Sequence, residues 1–297
     1  MPIAVTHNAR QDLLLANPRL ETPVSLLNFF FRCLVRSVAI LVLVSASAVA
    51  WTQEKPRVKS LGPTPPRSVA YIGNSFFYFN NGIVSHLNPM VAQGMKGHPY
   101  RSSMITISGS GLDWHDVDSY FRPNAVGKYT FAADNSVVFN TIDRLFDASV
   151  MMDCSQCPIH PTLKPIFHDY AKKHSDTVRK HGSQPVFFMS WAYADKLDMT
   201  QQLADAYTIA GNANQALVIP AGLAFARSIA LRPDINLYAP DKRHPSVEGT
   251  YLSAATTYAA LFGQSPLDLS FTAGLAPEVA RHLRQVAWDT TQEYLGR

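Results

Sequence analysis

From residue 67 onward, short apolar runs alternate with longer stretches in which apolar positions recur at helical spacing. The short runs predict strands at 68–72, 103–107, 149–152, 185–190 and 216–219. The longer stretches predict helices at 82–93, 162–181, 199–212, 221–231, 246–262 and 277–295. Strand-then-helix alternation sustained this far predicts one α/β domain, with a parallel sheet covered by helices on both faces. Sheets of this kind hold ligands at the carboxyl ends of their strands. The stretch 114–140 breaks the alternation, with Pro123, Gly127 and several polar residues. It is expected to be a surface excursion near the site, one short helix and a loop.

Ahead of the domain the pattern differs. Residues 38–50 are an uncharged apolar run, preceded by Arg32 and Arg36 and closed by Ala48-Val49-Ala50. Basic flank, short apolar run and small-residue exit have the form of a secretory signal peptide. The run is shorter than the roughly 20 apolar residues of a membrane span. Phe29, Phe30, Phe31, Leu34 and Val35 lengthen the apolar region, so an uncleaved membrane anchor is the alternative. The expected organisation is an extension and signal over 1–50, a Pro-rich tether over 51–66 and the folded domain over 67–297. Such a protein is exported, to the periplasm or beyond.

Composition adds exclusions. The net charge of +4 is small for 297 residues and the basic residues are scattered, which argues against a nucleic-acid partner. Of the three cysteines, Cys33 lies in the targeting segment, leaving Cys154 and Cys157 spaced C-x-x-C. Two thiols cannot make a four-thiolate zinc site and no histidine pair at metal spacing accompanies them, so no metal and no cofactor is expected. In an oxidising compartment a local disulfide is favoured over a thioredoxin-like redox role. His86, His160, His168, His174 and His181 share no pattern; His174 and His181, seven apart, are expected on a solvated helix face.

Three segments carry candidate chemistry. An apolar strand runs into Gly73-Asn74-Ser75-Phe76, placing a serine at a strand's carboxyl end and at the start of a helix. Free N–H groups there can stabilise developing negative charge, although a capping serine would look the same. In Asp241-Lys242-Arg243-His244-Pro245-Ser246, an acid three residues before a histidine can hold the imidazole Nδ1–H and leave Nε2 free. A solvated charged loop is the bland reading. Ser108-Gly109-Ser110-Gly111-Leu112 opens a strand into small residues that let a backbone N–H approach a substrate oxygen. No Lys-Ser/Thr pair follows to make it a phosphate loop.

In this order the blocks resemble the SGNH (GDSL-type) hydrolase superfamily, and more closely a branch of it that opens with G-N-S-F. The resemblance covers nearly all of 68–266. It includes Gly109-Ser110-Gly111-Leu112 with His115, the run Phe188-Met189-Ser190-Trp191-Ala192, Pro220-Ala221-Gly222-Leu223-Ala224, and Asp241-x-x-His244-Pro245-Ser246 followed by Gly249-Thr250-Tyr251-Leu252. It implies a three-layer α/β/α sandwich with a five-stranded parallel, flavodoxin-like sheet. It also implies Ser75 as nucleophile, His244 as general base, Asp241 as the group orienting it, and the N–H groups of Ser75 and Gly109 as oxyanion donors. Asn74, His115 and Trp191 are candidates for the substrate rim, with packing in the core as the equal alternative for His115 and Trp191. Members hydrolyse carboxylic esters, often acetyl groups on sugars, without a metal, so the implied partner is a small-molecule or carbohydrate ester.

One position departs from the family. After the third strand members carry an Asn, or in this branch a Gln, as a side-chain oxyanion donor, and Met152 stands there instead. A thioether cannot donate. Ser155 or Gln156 would be the replacement if a Cys154–Cys157 disulfide reshapes the loop, whereas an ionised Asp153 would repel an oxyanion. Losing one donor costs about a hundredfold or more in rate. The expectation is therefore a slow or altered esterase, with a catalytically impaired binding protein as the alternative.

Overall fold

The computed structural model describes residues 54–122, 124–126, 128–139 and 144–297. The expected extension and signal over 1–50, with Cys33, lie outside the described residues. In chain order the strands are β1 (Ser68–Gly73), β2 (Arg101–Thr106), β3 (Tyr129–Phe131), β4 (Val137–Phe139), β5 (Ala148–Met151), β6 (Gln184–Phe188) and β7 (Leu217–Ile219). The helices are α1 (Ser75–Tyr78), α2 (Ile83–Gly94), α3 (Lys164–Lys180), α4 (Met199–Ala213), α5 (Ala221–Leu231), α6 (Val247–Phe262) and α7 (Pro277–Leu295).

All six residues of β1 are buried, which suits an interior strand of a sheet covered on both faces. The sheet is five-stranded and parallel, in the order β2-β1-β5-β6-β7. Gly73 ends β1 opposite Thr106 of β2, and Ile72 pairs with Met151 of β5, so three chains leave the sheet at one edge. Helices α2, α5, α6 and α7 pack together, while α3 and α4 pack against β6. Every residue from Gly249 to Phe262 of α6 is buried, as a helix enclosed on all sides requires. Ser246 caps α6 by accepting from the Gly249 N–H at 3.1 Å, and Gly263, at φ 64°, ends it in the left-handed conformation. At Gly222 of α5 a Cβ would come within 2.2 Å of the Ser190 carbonyl oxygen, so only glycine permits that close crossing.

Each expected sheet strand and each expected helix is present, with ends within two residues of the sequence reading. Two regions differ. The excursion over 114–140 was expected to hold one helix and a loop; a 3-10 turn at Leu112–Trp114 leads into it, and it holds a second at Val117–Phe121 and the β3–β4 hairpin. Asp134 makes the hairpin turn by accepting from the Ser136 N–H and hydroxyl at 3.0 and 2.6 Å. The pairs Tyr129–Phe139 and Phe131–Val137 put four exposed apolar side chains on one face. The second difference is the tether. Residues 54–66 carry no helix or strand, yet they are held to the domain. Asn212 bonds the Arg57 N–H and the Lys55 carbonyl at 2.8 and 3.0 Å, and Val58 and Leu61 pack on the core.

Candidate active site

Local sequence explains how Ser75 is presented. Strand β1 stops at Gly73, and Asn74 caps the single turn of α1 by accepting from the Phe76 N–H at 3.2 Å. Ser75 is therefore the first helical residue, 8% exposed, with its N–H outside any helical ladder. Its Oγ lies 2.8 Å from His244 Nε2, across 169 residues of sequence. His244 Nδ1 is hydrogen-bonded to Asp241 Oδ2. Asp241 Oδ1 accepts from the N–H groups of Arg243 and His244 at 2.9 and 3.0 Å. Burial pushes the Asp241 carboxyl up, but the His244 ring and those two N–H groups outweigh it and hold the value at about 2. Asp241 is thus ionised at neutral pH, Nδ1 must carry its proton, and Nε2 is left to accept from the Ser75 hydroxyl.

The loop bearing Asp241 and His244 is braced from outside. Lys242 takes the left-handed conformation at φ 64° and its carbonyl accepts from the Ala194 N–H at 3.1 Å. Trp191 Nε1 donates to the Arg243 carbonyl at 3.0 Å. Arg243 turns away from the histidine, pairing with Asp195 and lying over the Tyr193 ring at 3.9 Å.

Gly109 follows β2 with φ 72°, and a Cβ there would meet nothing within 4 Å. Among the described residues, neither the Ser75 N–H nor the Gly109 N–H has a hydrogen-bond acceptor. The unpaired Ser75 N–H belongs to the residue that carries the activated hydroxyl, and an unpaired donor so placed is what a developing oxyanion needs.

No family model matches the chain, and no curated protein matches it in sequence. Solved structures do. A DUF4886 family protein from Bacteroides uniformis is 18% identical, with a TM-score of 0.50 over 75% of this chain and 93% of that one. A protein described as a GDSL-like lipase, from Parabacteroides merdae, is 11% identical, with a TM-score of 0.50 over 69% of this chain and all of that one. This is the SGNH hydrolase fold.

Several expectations for the site need correction. Asn74, His115 and Trp191 do not form a rim; they are 4%, 3% and 0% exposed. Asn74 Nδ2 donates to the carbonyls of Ser110 and Asp153 at 3.0 and 3.1 Å, tying the loops after β1, β2 and β5 together. His115 Nε2 donates to the Gly73 carbonyl at 3.1 Å while its Nδ1 accepts from the Tyr120 hydroxyl at 2.9 Å. Burial lowers its pKa to about 4, so it serves as a neutral strut. Trp191 is stacked between Phe76 and Phe225, at centroid distances of 4.6 and 4.2 Å. Each of these types is common at binding rims, but here each polar edge is already used. His174 also departs from the expected solvated face: it is buried, with Nε2 2.8 Å from the Leu112 carbonyl.

The loop after β5 departs from the expected donor pattern. Met152 is fully buried beneath the end of β1, where its Cε would touch a Cβ on Gly73 at 3.3 Å. Cys154 and Cys157 are paired as a disulfide, and the Ser155 hydroxyl is bonded to the Tyr193 hydroxyl at 2.6 Å. Asp153, a liability to an oxyanion if it faced one, is a brace. Its Oδ1 accepts from the Leu112 and Cys154 N–H groups at 2.8 and 2.9 Å, joining this loop to the one that carries Gly109. Its proximity to Leu112 was not visible in sequence, since 41 residues separate them.

Burial, opposed by those two N–H groups and reinforced by the Asp113 carboxylate, pushes Asp153 up to about 6. The folded value lies above the ordinary 3.8, so the folded chain binds more protons than the unfolded one between about pH 4 and 6. Stability is then greatest below that window and declines as pH rises through it. Asp153→Asn keeps an acceptor for both N–H groups and removes the titration. The variant should gain on the wild type in melting temperature as pH goes from 4.5 to 7. An equal difference at the two pH values would rule this account out.

Proposed function

We propose that this chain is an exported serine esterase that hydrolyses carboxylic esters, acetyl esters on carbohydrate among them, through an acyl-enzyme. The observation that carries the reading is the Ser75–His244–Asp241 series, with Oγ 2.8 Å from Nε2 and an ionised carboxylate on Nδ1. Ser75 Oγ attacks the ester carbonyl carbon as its proton passes to His244 Nε2. The carbonyl electron pair moves onto oxygen, where the N–H groups of Ser75 and Gly109 receive it. Collapse of the tetrahedral intermediate breaks the bond to the alcohol, which takes the proton from Nε2. Water, deprotonated by the same nitrogen, then attacks the acyl-serine and returns the free acid and the serine hydroxyl. No step of this cycle calls for a metal or cofactor.

Export is supported by the basic flank, apolar run and Ala48-Val49-Ala50 exit near the N-terminus. The competing reading, an impaired binding protein, is favoured by one observation: the buried Met152 offers no donor to the oxyanion. Hydrolysis of p-nitrophenyl acetate and butyrate, with fluorophosphonate labelling of Ser75, separates the two. Turnover with labelling supports the esterase, and the acetate-to-butyrate ratio sizes the acyl site. A folded protein that neither turns over nor labels is the binding protein.

A further inference from the structure

Taking Ser75 and His244 as the catalytic couple proposed above, we infer that Phe79 is a positioning residue for the general base, holding the His244 ring in its productive plane. The two hydrogen bonds of His244, from Nδ1 to Asp241 and between Nε2 and Ser75, fall near opposite ends of one line through the imidazole. Bonds so placed hold the ring's ends and leave it free to rock about that line. Only contact with a face resists rocking. Phe79 supplies that contact, lying parallel to the imidazole at a centroid distance of 3.9 Å and an interplanar angle of 8°. Phe76 adds an edge contact at 5.5 Å and 78°, and is itself backed by the buried Trp191.

The arrangement follows from the one-turn helix. Phe79 is four residues after Ser75, and its N–H donates to the Ser75 carbonyl at 3.1 Å. Residues at this spacing share a helix face. Nucleophile and ring therefore present a single surface to His244, one contacting its edge and the other its face. The need for such a prop is visible in the exposure of the couple. The side chains of His244 and Asp241 are 25% and 46% exposed, so no closed shell of protein immobilises them. The stack also suits the charge that passes through the ring. When Nε2 takes the serine proton the imidazole becomes a cation lying on the electron-rich face of Phe79.

The test compares wild type, Phe79→Leu and Phe79→Tyr as full chains, after melting curves have shown that each is folded. Leucine keeps the apolar bulk and removes the flat face; tyrosine restores the face. Phe79→Leu should lower kcat for p-nitrophenyl acetate about 5- to 30-fold, with KM within about twofold. The rate at which a fluorophosphonate labels Ser75 should fall by the same factor, and Phe79→Tyr should recover both. A rise in KM at unchanged kcat would make Phe79 a substrate wall and overturn the inference. So would full activity in Phe79→Leu, or a folded Phe79→Tyr that is no better than leucine. If wild type turns over no ester but is labelled, the labelling rates alone decide. If the wild type is not labelled at all, the serine-hydrolase reading falls and this inference falls with it.

Discussion

Ser75→Ala should abolish ester hydrolysis, lowering kcat about 10⁴- to 10⁶-fold, while leaving the fold intact. The size of the effect follows from how completely the chemistry passes through one atom. Oγ supplies the electron pair that makes the new bond, and among the described residues it alone donates to Nε2. The structural cost is small because the backbone does the local work. The Asn74 cap, the Ser75 carbonyl that receives the Phe79 N–H and the unpaired Ser75 N–H all survive in alanine. His244 Nε2 loses one partner, but the ring is 25% exposed and water can replace it. Melting temperature should therefore move little, within the range of ordinary surface substitutions, about ±0.5 kcal/mol. The measurement is kcat on p-nitrophenyl acetate beside the melting curve. A folded variant with more than about a hundredth of wild-type turnover would exclude an acyl-Ser75 intermediate.

What could be read from the sequence and what could not divide along a physical line. Gly73-Asn74-Ser75 and Asp241-x-x-His244 are local blocks, each carried at the junction between a regular element and a loop. Alternation alone predicts a parallel sheet, and a parallel sheet brings its strand ends to one edge. That is enough to expect the two blocks to meet. Side-chain direction was out of reach. Asn74, His115 and Trp191 belong to types that suit a binding rim, and nothing local says that their polar edges are already spent on carbonyls of Ser110, Gly73 and Arg243. Met152 poses the same problem in a sharper form. The end of β5 is buried on both faces, so no polar alternation tells which way a residue points. The β3–β4 hairpin was missed because its strands are three residues long and its apolar face is exposed, contrary to the rule that apolar alternation marks a buried side. Phe79 carried a readable signal, its i,i+4 spacing from Ser75, once the turn at 75–78 is recognised as helical.

Asp241→Asn should be nearly as damaging as loss of the nucleophile, with kcat reduced by about four orders of magnitude and KM hardly changed. The reason lies in which carboxylate oxygen does what. Oδ1 accepts from the N–H groups of Arg243 and His244, so in asparagine this site must be taken by the amide oxygen. Flipping the amide would set an NH₂ against two N–H donors. The NH₂ group is therefore left where Oδ2 stood, facing His244 Nδ1. A donor there makes Nδ1 the acceptor and moves the ring proton to Nε2. With Nε2 protonated, His244 cannot accept the proton of Ser75, and the base is lost although every heavy atom stays in place. Asp241→Ala imposes no tautomer, because water can occupy the gap beside a half-exposed side chain. It should be less impaired than asparagine, an order opposite to that expected from steric resemblance. Paired kcat and KM measurements on the two variants decide the point. If asparagine keeps a tenth of wild-type turnover, or if alanine is the worse of the two, Asp241 does not act by fixing the tautomer of His244.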